Sequence, residues 1–336
     1  MSVQVAAFPR AFVFRRLHSL MGFWIVLFLI EHLVTNSQAV LLISQYGEGF
    51  IRAVNVIKHL PYLPVIEIVL LGVPIVFHMG WGIKYAIDGK INSFKGRGIK
   101  PSLPRFSRNH AYSMQRISSW IILIGLIGHV AYMRFYMYPI GVHQGRHSDY
   151  FVRIDMDGGL YQTADRLGVK IYDQFAIDSA KAEVRREIAD SKRLEKDIAE
   201  FETKEGMPTK YQPALAELVQ RDQVLQEKQI WLQGLEKRKL SKGQVIAEAP
   251  DFGTATLLVV RNSFRNLWIA ILYTVFVLAT VFHAFNGLWT FMITWGIVLK
   301  MRSQSQAVNW CVGLMVLIGF LGLVSIWGTY LLDLLH

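Results

Sequence analysis

Five apolar runs dominate the pattern along the chain, at roughly residues 19–44, 61–87, 114–139, 266–299 and 306–332. A bilayer's hydrocarbon core needs about 20 helical residues to cross, and each run exceeds that. Between the third and fourth runs the pattern changes. Ile177, Val184, Ser191 and Ile198 recur at heptad spacing, with Ala180, Leu194 and Phe201 in a matching offset position. Leu218, Leu225 and Leu232 repeat likewise, and "EGMPTKYQP" separates the two series, with Pro208 and Pro213 as stops. This predicts an antiparallel helical hairpin with arms of about 40 Å. The flanking "YFVRIDMDGGLYQTADRLGVKIY" and "KGQVIAEAPDF" are rich in β-branched residues, and Asp157-Gly158-Gly159 reads as a turn. They predict a few short strands at the base of the hairpin.

The expected fold class is an all-α membrane protein. It is a five-transmembrane-helix bundle with an extramembrane insert, helical hairpin plus short strands, between helices 3 and 4. The expected domains are 1–140 with transmembrane helices 1–3, 141–265 as the insert, and 266–336 with helices 4 and 5. Arg15 and Arg16 precede the first run in the manner of a signal peptide. That run is longer than a signal h-region and has no small-residue cleavage site, so a retained anchor is expected.

The 336 residues are 52% hydrophobic, with a mean hydropathy of +0.30, too apolar for an ordinary soluble domain. The net charge is +11, yet residues 150–251 hold 17 basic and 19 acidic residues. The excess therefore sits at the ends of the spans. Residues 84–116 carry eight Lys or Arg against Asp88, the N-terminus adds Arg10, Arg15 and Arg16, and Lys300 and Arg302 follow span four. The positive-inside rule assigns these segments to the cytoplasm and the insert to the outside. The basic excess is a topology signal, not a nucleic-acid footprint. Cys311 is the one cysteine, which excludes disulfides, covalent C-x-x-C-H haem attachment and cysteine-ligated clusters within this chain.

Four histidines fall well inside the apolar runs: His32, His78, His129 and His283, one on each of four successive spans. Ionisable groups at such depth are costly and usually serve a site. Neutral imidazole is a good iron ligand, and two from facing helices clamp a haem between them. Four ligands then make two bis-histidine b-type haems inside a helical bundle. Glycines at 80, 82, 125, 128 and 287 lie near these positions, although glycine is common in membrane helices anyway. Depth pairs His32 with His129 as the outer site, at roughly 20–22 Å above the cytoplasmic ends of their spans. His78 and His283 are left for the inner site, mostly by elimination. A rival pattern pairs His18 with His32 and His129 with His143 at spacings of fourteen, as in cytochrome b of the bc complexes. Depth disfavours it, and His18 is expected at the interface.

The motifs "FRRLHSL", "IEHLVTNSQA", "PIVFHMGWG", "QRISSW…GHVAY" and "VFHAFNGLWTFMITWGI" resemble the cytochrome b558 subunit of succinate:quinone oxidoreductases, in its single-subunit, five-helix, two-haem form. The similarity covers residues 10–140 and 266–330, not the insert. The H-x-x-N-G-L-W run and the R-R-L-H-S start carry most of it. The resemblance implies that His32, His78, His129 and His283 are the axial ligands, paired as above. It also implies a bacterial cytoplasmic membrane location and two partners, a flavoprotein and an iron–sulfur subunit, docked on the basic face. The chain would serve as membrane anchor of succinate dehydrogenase or fumarate reductase, in electron transport linked to the tricarboxylic acid cycle. Electrons would pass through both haems to a quinone, menaquinone by that resemblance.

The dicarboxylate site would lie elsewhere, because this chain has no dinucleotide fingerprint or cysteine cluster. Glu67, near the outer end of span two, is a candidate for quinone or proton work, and a similarly placed Glu occurs in the family. Glu31 is a second candidate, deeper, where the family has Gln directly before the ligand. Ser19, Arg16 and Arg116 are candidates for haem propionates, although membrane-edge cations contact lipid phosphate as readily. Two other classes stay open. One is a cytochrome b anchor of a hydrogenase or formate dehydrogenase, and the other is a haem-free membrane protein presenting the hairpin for interaction.

Overall fold

The computed structural model describes residues 9–40, 47–90, 92–93, 101–144, 147–205 and 212–334. The chain divides into two compact units, Met1–Tyr136 with Ser263–Leu335, and Met137–Asn262. In chain order the first unit opens with α1 (Arg10–Ser37), α2 (Glu48–Lys58), α3 (Leu63–Ile66), α4 (Val73–Asp88) and α5 (Ser107–Val130). Between the two stretches of the first unit lie β1 (Ile140–Gln144), β2 (His147–Asp155), α6 (Leu160–Leu167), β3 (Lys170–Tyr172), α7 (Gln174–Glu205), α8 (Gln212–Glu236), β4 (Gln244–Ala249) and α9 (Phe252–Phe264). The chain continues with α10 (Leu267–Thr294), α11 (Met301–Leu323) and α12 (Thr329–Leu334).

Among the described residues five helices are long and apolar enough to cross a membrane: Arg10–Ser37, Leu63–Asp88, Ser107–Tyr136, Leu267–Thr294 and Met301–Leu332. The protein is an all-α, multi-pass membrane protein with a small antiparallel sheet in its insert. Three spans carry a π-helical stretch, at Glu67–Gly72, Ala131–Tyr136 and Val324–Gly328. Such wide turns often mark functional positions. The span limits differ from those expected. The first helix begins nine residues earlier, where Pro9 starts it and its carbonyl accepts from the Phe12 amide at 2.9 Å. Arg15 and Arg16 therefore lie inside the helix. The fourth ends at Thr294, not 299. Gly296 takes a left-handed φ of 71°, and the Ile297 amide donates back to the Met292 carbonyl at 2.9 Å, a helix stop that glycine accepts without strain. At its start, the Asn266 side chain accepts from the amides of Trp268 and Ile269, satisfying two orphan donors.

Packing within the bundle is uneven. α1 lies against α4, α10 and α11, and α10 lies against α5 and α11, whereas α4 and α5 touch at few points. Small residues permit the close crossings. A Cβ on Gly322 of α11 would lie 2.8 Å from Val277 and 3.4 Å from Leu33, and one on Gly125 of α5 only 2.3 Å from Phe276. Ala270, Val277, Val281 and Phe285 are buried along α10, the most enclosed of the helices bearing the four histidines.

In the second unit the strands form one antiparallel sheet in the order β1-β2-β4-β3. α7 packs on α8 and α8 on β1. Ile177, Val184, Leu232 and Leu235 close the core over Val142, Phe151 and Ile246. A side chain at Gly234 would strike Val142 at 2.4 Å, so glycine lets α8 sit on the sheet. Ser191, in the heptad series, is buried and donates to Asp222 across the hairpin at 3.0 Å. The side chains of Ile198, Phe201 and Leu218, and residues 206–211 of the "EGMPTKYQP" break, lie outside the described residues, whereas Pro213, expected as a stop, lies in the first turn of α8. Glu248 is buried and accepts from Lys170 Nζ and Trp231 Nε1, each at 2.8 Å. The hydrogen bond to Glu248 holds the Lys170 ammonium above its ordinary pKa. Burial, with Glu248 beside it, pushes the Tyr172 phenol up as well.

Candidate functional site

The four deep histidines stand on the four helices α1, α4, α5 and α10, and they meet across the diagonals of that arrangement. His32 of α1 faces His129 of α5, with ring centroids 5.9 Å apart and planes at 81°. His78 of α4 faces His283 of α10, at 6.2 Å and 85°. Neither pair joins two helices that pack directly on one another. The pairs also differ in height. Gly22 of α1 touches His78 and lies ten residues before His32. Tyr273 of α10 bonds His129 and lies ten residues before His283. Both helices thus give a separation of about 15 Å.

The ring nitrogens are prepared for one role. His78 Nδ1 lies 3.0 Å from the His18 carbonyl, which can only accept, so Nδ1 carries the proton and Nε2 keeps its lone pair. Ser118 spends its hydroxyl proton on the Gln115 carbonyl at 3.1 Å, leaving its oxygen to accept from His283 Nδ1 at 3.4 Å. His129 Nδ1 lies 3.1 Å from the Tyr273 hydroxyl. Such outer partners fix tautomer and ring orientation in histidines that ligate metals. Backbone contacts add to the bracing. Gln115 donates to the His283 carbonyl at 3.2 Å and accepts from Asn286 at 2.7 Å, while Asn36 donates to the His32 carbonyl at 2.7 Å.

A metal atom between two imidazoles, bonded to each at about 2 Å, sets their centroids about 6 Å apart, and both pairs have that spacing. Among the described residues no three or more His, Cys, Asp or Glu side chains gather as a metal site. Donors that come in facing twos suit an iron whose equatorial ligands belong to a macrocycle. A Cβ on Gly80 or Gly128 would meet nothing within 4 Å, and α4 and α5 touch at few points. His18 Nδ1 is buried with no hydrogen-bond partner among the described residues, a polar contact beside the inner pair that the protein does not fill. The residues present fit a bis-histidine haem at each level.

One relative carries similar sequence. Over 122 residues the chain is 34% identical to the succinate dehydrogenase cytochrome b558 subunit of Bacillus subtilis (strain 168). The match takes in 36% of this chain and 54% of that protein, so the chain spans about half the length of the curated relative it matches. No family model matches, and no solved structure matches.

The other sequence candidates take varied places. Glu67 lies in the π-helical stretch before α4 and accepts from Arg134, in the stretch after α5, at 2.9 Å. The pair bridges two helices that otherwise touch little. A groove of about 1010 Å³ runs from it along α4, past Val73, Val76, Phe77 and Trp81. Glu31 lies on the exposed side of α1 and accepts from the Thr35 hydroxyl at 2.8 Å. Arg16 donates to the Thr294 carbonyl at 3.2 Å and lies over the Phe12 ring. Arg116 donates to the carbonyls of Ala86, Gly89 and Lys90, at the C-terminal end of α4. Ser19 is half-buried on α1, one residue beyond His18.

His18 is the correction. Expected at the interface, it lies instead within the bundle, its ring stacked on His78 at 4.0 Å and 8°. Gln115, Ser118 and Tyr273 were also missed as bracing residues. Gln115 and Ser118 sit within the "QRISSW" motif, and Tyr273 precedes His283 by ten residues on the same helix. Those sequence positions carried the signal.

Proposed function

We propose that this chain is a di-haem b-type cytochrome that anchors a succinate:quinone oxidoreductase in a bacterial cytoplasmic membrane. It passes electrons between an iron–sulfur partner and membrane quinone. The observation that carries the reading is the pair of facing histidines at each of two levels, 5.9 and 6.2 Å apart. The likeness to the cytochrome b558 subunit adds the kind of complex. Two haems b, when bound, supply one-electron carriers at the two heights. His78 and His283 hold the inner one, nearest the basic cytoplasmic face on which the flavoprotein and iron–sulfur subunits dock. His32 and His129 hold the outer one. The N-terminus is cytoplasmic and the insert extracytoplasmic.

Quinone reduction also takes up protons. Glu67, held by Arg134, is the carboxyl that exchanges them at the outer end of the α4 groove. The apolar lining of that groove suits the tail of a membrane quinone, menaquinone in this reading. Arg116, by binding three carbonyls at the end of α4, fixes the helix that carries His78.

The test is haem quantification per chain in the purified complex, followed by a redox titration of the visible bands. Two haems with separate midpoints are expected, and a His→Ala change at any one of the four should remove one of them. A purified chain without haem sinks the reading, and a single haem breaks one of the two pairs.

A further inference from the structure

The inner ligand His78 is held on three sides by one turn of α1. The His18 ring lies flat on the His78 ring, centroids 4.0 Å apart and planes within 8°. The carbonyl of the same residue accepts from His78 Nδ1 at 3.0 Å. One turn further, Gly22 leaves the ring edge no room for a side chain, since a Cβ there would lie 2.8 Å from Cε1 and 3.0 Å from Nδ1. His18 is itself fixed by the edge of the Tyr85 ring at 5.3 Å. The outer ligand His32 has a looser neighbour, Phe28, at 5.3 Å and 27°.

We propose that the turn from His18 to Gly22 is a saddle that sets the ring plane of His78, and that His18 is a positioning residue for this ligand. The inference rests on reading His78 and His283 as axial ligands. A stacked face and a hydrogen bond, with the α1 backbone close at Gly22, would together limit rotation of the imidazole about a bond to the metal. They hold it at 85° to His283. Two imidazoles with perpendicular planes leave a ferric low-spin iron nearly axial, which gives one very large g value in its electron paramagnetic resonance spectrum. Rotation of either ring towards the other lowers that value. Outer partners of a ligand thereby tune the metal without touching it.

The experiment uses the whole complex in membranes or detergent, with the outer haem as internal control and the two signals assigned by redox poise. In His18→Ala the largest g value of the inner signal should fall, while the outer signal stays where it is. His18→Phe keeps a flat ring and the backbone carbonyl, so it should restore the wild-type value. Gly22→Ala forces a methyl group into the ring and should move the inner signal alone. If neither His18→Ala nor Gly22→Ala moves it, the saddle has no hold on His78 and the inference is overturned. The same follows if His18→Phe shifts the signal as far as His18→Ala does. Should His18→Ala fail to assemble, Gly22→Ala and His18→Phe carry the decision by the same criteria. A wild-type complex with no low-spin haem signal defeats the cytochrome reading itself. Two wild-type signals with unmoved variants defeat only the saddle.

Discussion

Replacing Tyr273 with phenylalanine removes one oxygen atom and little else. The ring keeps its neighbours, Phe264 with a centroid at 5.1 Å and Phe276 at 6.1 Å, so the packing of α10 is retained. What is lost is the hydroxyl 3.1 Å from His129 Nδ1, which accepts from that nitrogen if Nε2 holds a metal. With His129 as the proposed outer ligand, its N–H then points into a half-buried site without that partner. Losing an outer-shell partner of this kind costs about 10–100-fold in metal affinity, or about 1.4–2.7 kcal/mol. The purified Tyr273→Phe complex would be titrated with a competing haem acceptor while both sets of haem bands are followed. The outer haem should be surrendered at about 10–100-fold lower acceptor concentration than in the wild type. The inner haem, braced by Gln115, Ser118 and His18, should hold as before. Equal retention of both haems would refute the argument that Tyr273 fixes His129.

Three further outcomes follow from the packing. Gly125→Val should destabilise the bundle by about 1–3 kcal/mol through overpacking, because even a Cβ would lie 2.3 Å from Phe276; a lowered melting temperature of the purified protein checks it. Arg116→Ala frees the three carbonyls at the end of α4 and should speed hydrogen exchange at residues 84–90, leaving α10 unchanged. In the insert, Lys170 and Tyr172 both have raised folded-state pKa values. Their contribution to stability is therefore complete below their ordinary values of 10.5 and 10.0 and is lost as pH rises through the folded ones. Hydrogen exchange along β3 and β4 should stay flat from pH 7 to about 10, once corrected for its intrinsic rate, and accelerate above that. Glu248→Gln should flatten the rise.

The spans and the four deep histidines were legible because a membrane makes both conspicuous. A run of twenty apolar residues has few other uses, and an imidazole within it is expensive enough to need a reason. The heptads of the hairpin were legible for a similar reason, since Ile177, Val184, Leu225 and Leu232 all turn inward. His18 was not legible. Next to Arg15 and Arg16 it reads as a boundary residue, and only the helix start at Arg10 carries it into the bundle. Its stacking on His78 joins residues sixty positions apart, which no local pattern encodes. β1 and α9 escaped notice because "IGVHQ" is short and "FGTATLLVVRNSF" runs up to the edge of span four. The π-helical stretches leave no periodicity that a helical pattern would betray.

The diagonal arrangement of the histidines also sets an order in time. The outer pair is complete once the chain has been made as far as His129, before any of the insert exists. The inner pair waits for His283, which at ribosomal speed arrives about 8–30 s later. For that interval the proposed saddle on α1 would hold His78 with no partner opposite, and the hairpin has time to fold. The two sites of one small bundle are thus built at different moments, the outer first, with Tyr273 joining it only as the inner one is about to close.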